Sequence, residues 1–376
     1  MSDPIVPPAT IGMLGGGQLG RYALMAARTM GYRTMMLEPD PLAPAGLIAD
    51  TPLVAAYDDP EALRRLGDEC DVVTTEFENP PAAALESLAR RTLVAPSAQA
   101  VSIAQDRVAE KRFLADNGLP IGPYAVVDRA DADPDVGYPA ILKTARLGYD
   151  GKGQRLTTDG SEMRAAWRTL GSVPCVLERA LLFDTELSVV VARSSQGGFA
   201  AYPVAENKHV DGILDLSIVP AHVSRRLSDR AVGLAMAITD ALSYVGVLAI
   251  EFFVVDGEVL INEMAPRPHN SGHWTLDVAQ TSQFEQQIRA ICGLGLGDTS
   301  MTRPAAAMVN LLGDLWDDHD PDWARAFDDH RTALHLYGKA APRAGRKMGH
   351  LTAWGDSPEE AEVRAEGSRR ALSRRG

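Results

Sequence analysis

The sequence predicts an α/β protein with a doubly wound parallel sheet at its N-terminus and α+β lobes after it. Three observations predict this. Residues 10 to about 105 alternate short apolar runs with helix-like runs, the order that lays parallel strands beneath crossover helices. The stretch TIGMLGGGQLGRYALMAARTMGYRTMMLEPD sets G-x-G-x-x-G (Gly15, Gly17, Gly20) between an apolar run and a helix-like run. Further on, GVLAIEFFVVDGEVLINEMA reads as two strands joined at Asp256-Gly257, a strong hairpin signal.

Taken in order, residues 11–14, 34–38, 72–76 and 93–95 read as strands, and 19–30 and 81–90 as helices. Ligands of such a sheet bind beyond the carboxyl ends of its strands. Met25, Met30, Met35 and Met36 read as core filling. From Gln105 the pattern changes. QDRVAEKRFLADNGLP is an amphipathic helix stopped at Gly118. PAILKT (139–144), the loop ARLGYDGKGQRL, a helix over 163–170 and VLERALLFDTELSVVVAR form a small α+β lobe, about 120–203. A helix over 229–242 leads into the hairpin. After Gly297, residues 333–337 and 348–352 read as strands of a small tail domain. The expected division is 1–105, 106–296 and 297–376. The last ten residues, GSRRALSRRG, are basic and poor in core residues, and read as a frayed surface tail.

With 376 residues, 45% of them hydrophobic and 23% charged, the chain is long enough for two or three globular domains. Its formal charge of -13 argues against a nucleic-acid partner, which needs clustered positive charge. Cys70, Cys175 and Cys292 lie far apart with no C-x-x-C, which fits a reducing cytoplasm and argues against a zinc site. MSDPIVPPAT has no basic-then-apolar signal pattern. No apolar run reaches the roughly 18 residues that span a bilayer, so no membrane partner is expected.

Chemistry is concentrated in a few stretches. Glu251 starts one hairpin strand and Glu263 ends the other. A two-residue turn sets Glu251 opposite Asn262 with Glu263 on the diagonal, whereas a one-residue bulge sets the two glutamates face to face. Like charges so placed need a cation, and magnesium, a hard ion that shares carboxylates with phosphates, fits. The plainer alternative is a solvated pair of edge glutamates. Lys143 ends an apolar strand and is followed by the glycine loop Gly148-Tyr149-Asp150-Gly151-Lys152-Gly153-Gln154, whose N–H groups can wrap phosphate oxygens. Alone, Lys143 reads as a snorkelling surface lysine. With the loop and the two-carboxylate hairpin it matches the needs of phosphoryl transfer: cations, a bridging metal and positioning. Glu178-Arg179-Ala180-Leu181 and Glu186 leave another strand. They suit an adenine edge and ribose hydroxyls, or form an ordinary strand exit.

LGGGQLGRY, TTEFENP, QDRVAEKRFL, LKTARLGYDGKGQ, VLERALLFDTELSVVV, AENKHVDGIL and INEMAPRPHNSGHWT, in this order, resemble the ATP-grasp ligases of the 5-(carboxyamino)imidazole ribonucleotide synthase family. The resemblance runs from residue 10 to about 352. It implies an ATP-grasp fold and the carboxylation of aminoimidazole ribonucleotide with ATP and bicarbonate, through carboxyphosphate. It also implies a magnesium cofactor and a cytoplasmic homodimer. It places ATP at Arg107, Lys143, Gly148, Tyr149, Asp150, Gly151, Lys152, Gly153, Gln154, Glu178, Arg179, Ala180, Leu181, Glu186, His209, Asn262 and Glu263. Magnesium falls to Glu251 and Glu263. The ribonucleotide or bicarbonate falls to Gly17, Gln18, Leu19, Glu76, Tyr149, Asp150, Arg267, His269, Arg346 and Lys347, with Arg267, His269, Lys152 and Asp150 as the catalytic set.

The resemblance also implies that the Gly15–Gly20 turn holds no NAD. Instead its N–H groups and helix N-terminus meet the 5′-phosphate of the ribonucleotide, with Glu38 structural or ribose-facing. The competing readings are an NAD-dependent oxidoreductase, which rests on that turn alone, a catalytically silent ATP-grasp module, and a related ligase using formate. His209, His269 and His273 also admit structural roles, and Arg267 a structural ion pair.

Overall fold

A computed structural model of the chain describes residues 3–373 apart from 130, 133, 149, 150, 318 and 319. Five parallel strands form the N-terminal sheet in the order Thr51–Leu53, Arg33–Leu37, Thr10–Leu14, Val72–Thr75, Leu93–Val94. Helices cover both faces, as an all-parallel sheet requires. Leu63, Leu66, Leu85 and Leu88 pack on one face. On the other, Leu24 packs with Phe284 and Ala27 with Ile288. Phe284 and Ile288 belong to helix Gln283–Ile291, so the first sheet is cemented to the next part of the chain. Met35 and Met36 lie in the core, whereas Met25 is 41% exposed because it falls on the outer side of helix Gln18–Thr29.

The small lobe is a four-stranded antiparallel sheet ordered Tyr124–Val127, Cys175–Arg179, Ala140–Thr144, Gln154–Thr157. It packs Leu142, Met163, Trp167 and Leu177 into one core. Its extent differs from 120–203. Strand Thr185–Arg193 pairs over nine positions with Gly246–Val255 and belongs to the large sheet. Burial on both faces of that strand explains its uninterrupted apolar run.

The large sheet runs Glu258–Ala265, Gly246–Val255, Thr185–Arg193, Ala205–Val210, Ile213–Val219, Ala305–Leu312, Lys347–Gly355, Thr332–Leu336, with Phe199–Ala201 attached to Thr185–Arg193. The tail strands therefore extend the central sheet through the pairing of Leu216 to Val219 with Val309 to Ala306. The reading of GSRRALSRRG as frayed is corrected over its described residues. Helix Pro358–Leu372 continues through them, with Ala361, Ala365, Ser368 and Leu372 buried on one face. Burying Leu372 contributes roughly 1.5–3 kcal/mol, and Arg369 fixes the same turn by donating from Nη2 to Asp215 Oδ2 at 2.9 Å. Short side chains at a 4-3-4 spacing hid that face in the sequence.

Candidate active site

The hairpin turn has both central residues left-handed, Asp256 at φ 51° and Gly257 at φ 75°, as a type I′ turn demands. Pairing stays regular to Phe252 opposite Ile261, then shifts, so that Glu251 faces Glu263 and Asn262 is the extra residue. This bulge decides the site. Side chains alternate faces along a strand, so in the unshifted register Glu263 would point to the opposite side of the ribbon. Of the two placements the sequence allows, the pairing is the bulged, face-to-face one. Ser188 continues the row beside Glu251.

The two carboxylates differ in surroundings. Burial, then the charge of Glu263, pushes the Glu251 carboxyl up. Burial acts the same way on Glu263, but Arg107 outweighs it and holds that carboxyl low. Arg107 Nη1 donates to Glu263 Oε2 at 2.6 Å. Glu251 meets His269 Nε2 at 3.5 Å, and burial, Arg267 and Lys347 keep that imidazole neutral. The Ser271 N–H donates to His269 Nδ1 at 3.3 Å, which leaves the proton on Nε2, facing Glu251. Asn262 Oδ1, beside the pair, is buried without a hydrogen-bond partner among the described residues. Two facing carboxylates, together with that amide oxygen, are a donor set that fits a hard divalent cation such as magnesium.

Above the ribbon lies a cleft between the small lobe and the large sheet. Ile141, Leu181, Phe183, Phe253 and Ile261 give it apolar walls, and Phe183 stacks on Phe253 with ring centroids 4.7 Å apart. Glu178, Arg179 and Ala180 line the same cleft. The peptides of Arg179 and Ala180 are tied to Pro123 and Pro139. Lys143 Nζ stands 3.2 Å and Lys111 Nζ 3.4 Å from Glu178 Oε2. Burial would raise the Glu178 carboxyl, but Lys143, Lys111 and Arg107 together hold it low. Glu186, two residues before Ser188 on the same strand, hydrogen-bonds His209 Nδ1.

Of the glycine loop, Tyr149 and Asp150 lie outside the described residues. Gly148 and Gly153 fold against Thr144, where an added Cβ would sit 3.2 and 2.7 Å from its Oγ1. Gly151, at φ 75°, meets the turn Asp211-Gly212 of the large sheet, where a Cβ would come within 2.9 Å of the Asp211 carbonyl oxygen. Gln154 pairs with Lys143 across the small sheet, which places Lys152 two residues from that pair.

The first glycine turn is already filled from within the fold. Gly17 N–H and Gly20 N–H donate to the Glu76 carboxylate at 2.7 and 2.9 Å. Gly16 N–H donates to Glu38 at 2.8 Å, and Tyr57 donates to the same Glu38 oxygen. A Cβ at Gly15, Gly16 or Gly17 would meet Glu76 or Glu38 at 2.5 to 2.6 Å, so the glycines admit these two side chains. A dinucleotide pyrophosphate finds those amides taken. The amides left at the helix start are those of Gln18 and Leu19, the first two residues of helix Gln18–Thr29.

Arg267 reaches from the end of the ribbon to Glu78 at the N-terminal sheet. Lys347 acts electrostatically on Glu251, His209 and His269, whereas Arg346 gives its guanidinium to the Ala341 carbonyl. His273 is fully buried and packs against the His350 ring at 4.8 Å.

Sequence reasoning passed over Glu78, Glu110, Lys111 and Ser271. Arg107, Glu110 and Lys111 fall at the i, i+3, i+4 spacing of one helix face, the signal that could have found the second and third. Burial pushes the Glu110 carboxyl up to about 8.

A small antiparallel lobe closing a cleft over a carboxylate-bearing ribbon defines an ATP-grasp enzyme. Family models agree: residues 8–105 match a ribonucleotide synthetase preATP-grasp domain, 112–284 an ATP-grasp domain, and 306–364 a phosphoribosylaminoimidazole carboxylase C-terminal domain. The N5-carboxyaminoimidazole ribonucleotide synthase of Brucella melitensis is 47% identical over 354 residues, 92% of this chain and 96% of its own. The chain belongs to the N5-carboxyaminoimidazole ribonucleotide synthase family, whose members are C–N-bond-forming ligases. The Thermus thermophilus synthetase structure matches with a TM-score of 0.88 at 41% identity, over 97% of this chain and 99% of that one. The Aspergillus clavatus synthase, solved with ADP and 5-aminoimidazole ribonucleotide, matches with a TM-score of 0.87 at 29% identity, over 97% and 98%.

Proposed function

We propose that this chain carboxylates 5-aminoimidazole ribonucleotide with bicarbonate and ATP, giving 5-carboxyaminoimidazole ribonucleotide, ADP and phosphate in purine biosynthesis. The observation that carries the reading is the facing pair Glu251 and Glu263 beneath the cleft that Lys143 and Glu178 enter. Adenine occupies the apolar slot between Leu181, Phe183 and Phe253, and Glu186 and His209 take the ribose side. Lys143, Lys152 and Arg107 hold phosphate oxygens. Magnesium, when bound by Glu251 and Glu263, supplies further positive charge there. The remaining two amides of the first turn, Gln18 and Leu19, and Lys347 receive the ribonucleotide.

A bicarbonate oxygen attacks the γ-phosphorus and the bond to ADP breaks. The exocyclic amine then bonds to the carbon of carboxyphosphate, the C–O bond to phosphate breaks, and the amine loses a proton. Arg267, a planar fork of N–H donors, suits the carboxylate or phosphate of that intermediate. His269 presents Nε2–H beside it. Carboxyphosphate is destroyed by water, so the contact of the Gly151 loop with Asp211-Gly212 serves to keep water out. The family resemblance supports a cytoplasmic homodimer. The −13 charge supports a small-molecule rather than a nucleic-acid partner. Among the described residues no helix is long and apolar enough to cross a membrane.

The test is ADP release with aminoimidazole ribonucleotide and bicarbonate omitted in turn. Full turnover is expected only with both present. ADP release driven equally by formate without bicarbonate overturns the substrate assignment.

A further inference from the structure

Strand Glu258–Ala265 is the edge of the large sheet. A regular edge turns alternate residues outward, so a neighbouring strand can pair with it. Here the bulge breaks the alternation. Ile261 N–H and Met264 N–H, three residues apart, both face outward: the first donates to the Pro120 carbonyl at 2.8 Å, the second to Glu110 Oε1 at 2.7 Å. Between them the Asn262 carbonyl accepts from Lys111 Nζ at 2.8 Å. The bulged residue and the residue after Glu263 are thus gripped by adjacent side chains of helix Arg107–Asp116, while Arg107 of the same helix takes Glu263 itself. Both gripping side chains are buried, Glu110 at 1% and Lys111 at 2% exposure. No regular strand could supply this pattern of partners.

We infer that Glu110 and Lys111 are positioning residues for the reaction: they hold the Asn262 bulge, and the bulge turns the Glu263 carboxylate onto the face occupied by Glu251. The inference rests on Glu251 and Glu263 being the cation ligands. Buried acids and lysines are costly unless satisfied, and this pair is spent on backbone groups that flank a ligand. Partners one step removed from a metal typically govern affinity by about 10–100-fold when lost. Lys111 also touches Glu178 in the nucleotide cleft, so the same ammonium ties the nucleotide wall to the carboxylate ribbon.

The experiment is Mn²⁺ titration followed by electron paramagnetic resonance in the presence of saturating ADP, for the full chain. Glu110→Ala and Lys111→Met are expected to bind Mn²⁺ about 10–100-fold more weakly. Glu110→Gln keeps an amide oxygen for Met264 N–H and should stay within about threefold of the parent, a rescue that loss of stability alone does not predict. ADP affinity of Glu110→Ala in EDTA should change less than about threefold. If Glu110→Ala does not fold, Lys111→Met and Glu110→Gln decide. Glu110→Ala or Lys111→Met binding Mn²⁺ like the parent overturns the inference, as does Glu110→Gln binding as weakly as Glu110→Ala. Glu263→Gln is the control. If it keeps Mn²⁺ affinity, the cation site itself is wrong; if it loses Mn²⁺ while Glu110→Ala and Lys111→Met do not, only the positioning role fails.

Discussion

Replacing Gly17 by alanine separates an internally capped glycine turn from a ligand-binding one. Gly17 sits at φ −72° and ψ −166°, a backbone conformation open to alanine, so no strain term enters. The effect is contact alone. The new Cβ would lie 2.6 Å from Glu76 Oε1 and 2.9 Å from Oε2, inside any tolerable C···O separation. Glu76 must withdraw, and the Gly17 and Gly20 amides lose their acceptor together. An unsatisfied buried donor costs about 1–3 kcal/mol. Because this turn is partly open to water, we expect about 2–4 kcal/mol for the two, a drop of about 3–5 °C in melting temperature. The assay is thermal and urea unfolding of Gly17→Ala, Glu76→Ala and the double variant. The two substitutions remove one interaction, so Gly17→Ala should cost under about 1 kcal/mol once Glu76 is already alanine. An equal cost in both backgrounds, or no cost in either, refutes the reasoning.

Three further outcomes are expected. Lys143→Met leaves Glu178 with Lys111 as its ammonium partner, and should raise the KM for ATP at least about tenfold, the worth of one charge-assisted bond; an unchanged KM contradicts the phosphate role. In metal-free protein, burial opposes the charge on His209, but the hydrogen bond to Glu186 and the field of Glu251 raise its pKa above 6.5. A raised imidazole stabilises fully below its unfolded value of about 6.5, and that stability is lost as pH rises through the folded value. NMR titration should show the shift and Glu186→Gln should abolish it; titration below 6.5 in the parent would sink the assignment. Burial lifts the thiols of Cys70 and Cys292 to about 12 and of Cys175 to about 11, so native protein at pH 8 should leave Ellman's reagent unreacted until denaturant is added.

The alternation of strand and helix up to residue 105 and the Asp256-Gly257 hairpin were legible because each is set by local periodicity or turn chemistry. Lys143 was legible only through its neighbours in sequence. The bulge at Asn262 was left open, since it depends on partners about 150 residues upstream, Glu110 and Lys111, that no local pattern announces. That Glu76 caps the glycine turn was not legible, because a sequence does not show that the end of one strand caps the turn beyond its neighbour. The continuation of the central sheet by Ala305–Leu312 and Lys347–Gly355 was missed for the same reason: register between distant strands is a tertiary property.

That continuation bears on how the gene product can be divided. Strand Ile213–Val219 has buried residues on both faces and zips to Ala305–Leu312 along its outer side. A chain stopped at residue 297 would bare a row of unbonded peptide groups flanked by aliphatic side chains, an adhesive rim that invites other chains. The catalytic portion is therefore not a detachable cassette: expressed alone it should clump, and co-expression with the missing piece should restore a dispersed, nucleotide-binding particle.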